Sequence, residues 1–157
     1  MNRKTAIRCD LAESREALLT AIDTLAPDEW DRPTSNSSWS AREILVHVTQ
    51  AEPGLLSRMR RILDGTSELP PGFDLNVWNT RQVAKQRNAE VSALVASLSE
   101  SRQAVLRFLD ELTDDKLDIR GWHGSGKEMS LAEVFAIAAR HESTHARDLL
   151  TARVRVD

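Results

Sequence analysis

Apolar residues recur along this chain at three- and four-residue intervals, the period of a helix that buries one face. Ile7, Leu11, Leu18, Ile22 and Leu25 mark a first helix that ends before Pro27. Ile44, Val48, Ala51, Leu55, Met59 and Ile62 mark a second, closing near Asp64-Gly65, where glycine suits a C-terminal cap. Val91, Leu94, Val95, Leu98, Val105, Leu109 and Leu112 predict a long third helix that begins near Trp78. Leu131, Val134, Ala138, His141, His145 and Leu149 mark the fourth. No stretch alternates as a strand does, so the pattern predicts an all-α four-helix bundle.

Two helix starts are explicit. Ser40-x-x-Glu43 and Ser130-x-x-Glu133 are capping boxes, in which serine and glutamate satisfy each other's free backbone donors. Trp39 and Met129, one residue before each cap, can staple to Ile44 and Val134. Pro53 lies inside the second helix and removes one backbone hydrogen bond, so a bend is expected there.

The second and fourth helices carry three histidines on their apolar stripes, where an imidazole needs a partner. His141 and His145 are one turn apart, so both rings face one side of the helix. His47 is the third. One metal ion is an economical partner for three neutral imidazoles, and three protein ligands leave positions for substrate, as in catalytic sites. Imidazoles suit zinc, nickel, copper or iron(II).

Their heights bear on topology. His47 stands about 10 Å into its helix, and His141 and His145 about 16–22 Å into theirs, counting from the capping serines. Parallel helices with aligned starts would separate the ligands by one or two turns. Antiparallel helices bring His47 level with His145, which favours an up-down-down-up bundle. Residues 65–77 can extend to roughly 40 Å, enough for the crossover.

Composition narrows the function classes. The 157 residues are expected to form one domain, residues 1–157, with a core that needs no staples. A formal net charge of −3, with both signs interspersed, argues against a nucleic-acid or anionic-membrane protein. Arg58-Met59-Arg60-Arg61 is the local exception and reads as a solvated helix face. Cys9 is the single cysteine, so neither a disulfide framework nor a thiolate metal site is expected. With no membrane-length apolar run and no signal-peptide core, the expectation is a soluble cytoplasmic protein.

His141-Glu142-Ser143-Thr144-His145 also spells the zinc-protease helix. That assignment needs a third ligand downstream, and the segment from Ala146 to Asp157 has no histidine or glutamate, leaving Asp148 as the one carboxylate able to approach that face. Glu142 should point about 100° away from His141, toward a neighbouring helix or solvent. Glu43, one turn before His47, is the candidate catalytic base, although its cap already accounts for it. His123 lies in a glycine-rich link and reads as a surface residue, with a place at the site entrance as the alternative. Trp30, Trp39, Trp78 and Trp122 fall in connections or near helix starts, where packing is the default and a pocket wall the alternative.

Trp39-Ser40-x-x-Glu43-x-x-x-His47, the pair His141-x-x-x-His145, and Asp74-Leu75-Asn76-Val77-Trp78-Asn79 together resemble the DinB/YfiT-like superfamily, which includes the N-terminal domain of mycothiol-dependent maleylpyruvate isomerases. The resemblance implies an up-down-down-up bundle, a divalent metal (often zinc or nickel) on His47, His141 and His145, and a homodimer. It also implies thiol-dependent transfer or isomerisation, or metal-dependent hydrolysis. The leading expectation is a metal-dependent S-transferase in which a low-molecular-weight thiol attacks a small electrophile, with Glu43 or metal-bound hydroxide as base. A metal-dependent hydrolase of a small amide or ester, and a non-catalytic small-molecule binding protein, are the alternatives.

Overall fold

The two capping boxes form as their sequences dictate. Ser40 Oγ accepts from the Glu43 N–H while Glu43 Oε2 accepts from the Ser40 N–H, and Ser130 and Glu133 repeat the exchange. These caps start α2 (Ala41–Leu63) and α5 (Leu131–Thr151). Gly65, at a φ of 71°, supplies the left-handed residue just after α2, where only glycine is unstrained. The computed structural model describes residues 1–36 and 39–153. Its remaining helices are α1 (Arg3–Thr24), α3 (Leu75–Lys85) and α4 (Val91–Glu111), with single 3-10 turns at Pro27–Glu29 and Asp114–Asp118.

The fold is an all-α bundle of α1, α2, α4 and α5. Two apolar clusters give its directions. One joins Leu11 and Leu56–Ile62 to Val105–Leu109 and Leu131–Ala138. The other joins Leu18–Ile22 and Ile44–Val48 to Leu94–Leu98 and Ala146–Leu149. Helices α1 and α5 therefore run one way and α2 and α4 the other, which is up-down-down-up. Each fully buried leucine contributes about 1.5–3 kcal/mol through removal from water.

A charged layer separates the two clusters. Between the apolar residues of every bundle helix an acidic or basic side chain turns inward: Arg15 on α1, Glu52 on α2, Arg102 on α4 and Glu142 on α5. Arg15 Nη2 reaches Glu52 at 2.8 Å and Glu142 at 2.6 Å; Arg102 reaches Glu52 at 2.6 Å and Glu142 at 2.9 Å. Ser14 and Ser101 donate to the carboxylates, and the Leu11 and Leu98 carbonyls accept from the guanidiniums. Glu142 thus points to its neighbouring helices.

Two sequence expectations are corrected. The long third helix is two helices, α3 and α4, broken across the polar segment 86–90 by a turn in which the Ala89 N–H donates to the Gln86 carbonyl at 2.9 Å. Only Val83 of α3 is buried, so this helix lies in the crossover and not in the bundle. A short hairpin also precedes α5: β1 (Arg120–Trp122) pairs antiparallel with β2 (Glu128–Ser130). Three-residue strands are too short to leave an alternating signature. Helix α2 runs unbroken through Pro53. No helix among the described residues is long and apolar enough to cross a membrane.

Candidate metal centre

Antiparallel packing of α2 on α5 brings His47, near the start of one helix, to His141 at the middle of the other and His145 one turn further on. One ring nitrogen from each of the three residues lies within 4.8 Å of the other two, and among the described residues this is the one such group. His47 Nε2 and His141 Nε2 face each other at 2.8 Å. Their rings meet edge-on, as do those of His47 with His145 and His141 with His145, at centroid separations of 4.7, 5.0 and 4.5 Å. Trp39 packs against the His47 ring at 4.7 Å.

This donor set fits a cation. Two imidazole nitrogens facing each other repel unless a proton or a metal lies between them. Nitrogens held about 2.0–2.1 Å from one ion stand roughly 2.9–3.3 Å apart at angles between a right angle and tetrahedral. The His47–His141 separation needs only a few tenths of an ångström of adjustment to reach that range.

Behind the cluster, His145 Nδ1 lies 2.9 Å from Asp148 Oδ2. An Nδ1–H donated to this carboxylate leaves the Nε2 lone pair aimed at the other two rings, the usual outer support of a metal-binding histidine. Burial, reinforced by His145, pushes His47 down to about 4. Burial, His145 and then His47 push His141 down to about 3. His145 is also lowered by burial, with Asp148 acting against the shift. All three rings are therefore neutral at pH 7, with lone pairs available for coordination.

His47 and His141 open onto a cavity of about 1220 Å³. Helix α2 forms its floor and α3 one wall, tied together where Gln50 Nε2 donates to the Gln82 carbonyl at 3.2 Å. Asp74 caps α3 by accepting from the Val77 N–H, which sets Trp78 and Asn79 on the cavity side. Of the four tryptophans, Trp78 alone lines the cavity, and Trp30 is buried in the core.

The remaining candidates are placed as follows. Glu43 keeps to its cap, bonded to Ser40, and neither joins the histidine cluster nor lines the cavity. His123, expected at the surface, is buried and lines the cavity. Its Nδ1 accepts from the Ser125 N–H at 3.1 Å inside the hairpin turn, and burial followed by the charge of Arg58 lowers its pKa. No local pattern marks His123, because the hairpin that buries it is itself invisible in the periodicity.

The family model described as the DinB superfamily matches residues 10–149. A protein of Oceanobacillus iheyensis provisionally named a metal-dependent hydrolase is 23% identical over 124 residues, covering 79% of this chain and 70% of its own. One of Bacillus licheniformis with the same provisional name is 24% identical over 148 residues, covering 94% and 83%. Among solved structures, the colibactin self-resistance protein ClbS, determined in complex with double-stranded DNA, superposes with a TM-score of 0.75. It is 14% identical, with 93% of this chain and 92% of that one covered.

Proposed function

The chain belongs to the DinB superfamily, and from that premise we propose that it is a metal-dependent enzyme acting on small molecules, with His47, His141 and His145 as the ligands. The observation that carries this reading is the cluster of three neutral imidazoles, braced by Asp148, at the wall of a large cavity. A divalent ion, zinc or nickel for this donor set, supplies Lewis acidity that lowers the pKa of a thiol or a water. Trp39 and Asp148 hold the ligand rings in place, and the walls from α2 and α3 shield the reacting groups from bulk water.

Thiol S-transfer is the leading reaction. It needs two reactants side by side, and about 1220 Å³ exceeds the roughly 300–1,000 Å³ of ordinary single-ligand pockets. The names of the two bacterial relatives favour hydrolysis as the second reading. A nucleic-acid substrate is not proposed, since the formal net charge is −3 with both signs interspersed along the sequence.

The test is turnover by protein loaded with zinc or nickel. In the transfer reading, consumption of monobromobimane requires both the metal and one of a panel of low-molecular-weight thiols, stops on chelation and returns with metal. Metal-dependent cleavage of a nitrophenyl ester without any thiol would establish hydrolysis instead. Inactivity of the loaded protein toward both reagents would count against an enzyme.

Asp148→Ala separates orientation of the centre from the fold. The substitution is expected to weaken zinc affinity about 10- to 100-fold, measured by competition with a chromogenic chelator. Thermal stability of the metal-free protein should change little, because Asp148 is partly exposed. Unchanged zinc affinity would remove Asp148 from the site.

A further inference from the structure

The basic run on α2 does not behave as a single solvated face. Met59 is buried in the core; Arg60 and Arg61 are both exposed and Arg58 is half-buried, but Arg58 and Arg61 line the cavity and Arg60 does not. They continue the stripe His47, Gln50, Gly54, whose three- and four-residue steps keep one helix face toward the cavity. A Cβ added at Gly54 would meet nothing within 4 Å, so the floor between the histidines and the arginines is open.

Arg58 is held in place. Its Nη1 donates to the Ser67 carbonyl at 2.8 Å. Ser67 is buried and accepts from the Trp122 N–H at 2.9 Å, and a Cβ on Gly121 would come within 2.4 Å of its hydroxyl. The hairpin therefore fixes the residue that fixes the guanidinium. Neither Arg58 nor Arg61 forms an ion pair among the described residues. Glu68 is the one carboxylate lining the cavity, so two guanidiniums face one acid in a protein of net charge −3. Burial and the like charge of Arg61 hold Arg58 below its ordinary pKa, the electrostatic condition of a cation lacking a counter-charge.

Apolar surface lies along the same cavity. Phe73 and Trp78 sit with ring centroids 6.3 Å apart, and Trp78 is 52% exposed although it lines the cavity. From His47 to Arg58 is eleven residues of helix, or about 16 Å.

We propose that Arg58 and Arg61 form an oxyanion subsite, and that the substrate is an elongated small molecule bearing a carboxylate, phosphate or sulfonate. Its apolar or aromatic body lies against Phe73 and Trp78, and its reacting end lies at His47 and His141. Placement of the reacting end rests on the metal-enzyme reading above; the anion subsite stands without it. Guanidinium pairs suit such groups because their planar forks donate two hydrogen bonds at once.

The test uses two fluorescent probes, anilinonaphthalene sulfonate and its uncharged counterpart N-phenylnaphthylamine, on the full chain. Arg58→Gln with Arg61→Gln is expected to weaken binding of the sulfonate about tenfold, the loss of a charge-assisted contact, and to leave the neutral probe unaffected. Arg60→Gln should alter neither, and Arg58→Lys with Arg61→Lys should restore part of the sulfonate affinity. Displacement of the sulfonate probe by phenyl phosphate or by phenylacetate, whichever is stronger, identifies the preferred anion. Equal sulfonate affinity in the wild-type protein and the glutamine variant would overturn the subsite. Parallel loss of both probes would also overturn it, by replacing anion recognition with collapse of the cavity. Zinc binding measured on the same samples keeps the two readings apart: a protein that takes no zinc yet shows the charge-selective loss refutes the metal enzyme and supports the anion subsite.

Discussion

Replacing His141 with alanine is expected to reduce bound transition metal from about one ion per chain to none, with the helical circular dichroism preserved. His141 Nε2 is 2.8 Å from that of His47, the shortest contact in the trio, and its ring packs on His145. Without it, two imidazoles on different helices remain, too few donors for a stable site. The fold should survive because three clustered imidazoles in a metal-free protein cost free energy instead of supplying it. The metal-free variant is therefore expected to melt no lower than the metal-free wild type. Added zinc should raise the melting temperature of the wild type alone, since a ligand that binds only the folded state stabilises it by mass action. Elemental analysis and paired thermal melts check both points. Stoichiometric metal in the variant, or none in the wild type after incubation with zinc, nickel and iron(II), would reduce the histidines to packing residues.

Arg102→Ala should be the most destabilising of these substitutions, costing about 3–5 kcal/mol. The guanidinium is nearly buried; it donates to Glu52 and the Leu11 carbonyl and forms an ion pair with Glu142. Its removal leaves two buried carboxylates sharing Arg15 alone, in a cavity the size of the lost side chain. At roughly 2–4 °C per kcal/mol for a chain of this size, the melting temperature should fall by about 6–20 °C. Replacing all four charged residues with apolar ones of similar volume should cost far less, since no charge is then left unpaired. Calorimetry of both variants decides the matter; a loss below about 1 kcal/mol for Arg102→Ala would mean that water reaches this layer and screens it.

Much of the site could be read before the fold. Ser40-x-x-Glu43 and Ser130-x-x-Glu133 set two helix starts to the residue, and the histidine heights measured from them require antiparallel helices for a shared ion, as the structure has them. The charged layer left a signal too. Arg15, Glu52, Arg102 and Glu142 interrupt four apolar stripes at helical spacing, where exposed charges do not belong. The sequence leaves Glu142 facing a neighbouring helix or solvent, and periodicity does not say which carboxylate meets which guanidinium. The break at residues 86–90 and the hairpin before α5 were less accessible, because one lies within a continuous helical pattern and the other has strands of three residues.

By itself the sequence determined what depends on neighbours a few residues apart: helix faces, caps, the glycine that closes α2, and three imidazoles on core stripes. These are local properties because hydrogen bonds one turn away and the side-chain period set them. Tertiary structure alone decided what depends on residues far apart in the chain. It detached α3 as a cavity wall, buried His123, joined four charges from four helices and turned Arg58 and Arg61 toward the space that His47 faces. Such pairings follow from the rotation and offset of one helix against another, which the periodicity of a single helix does not contain.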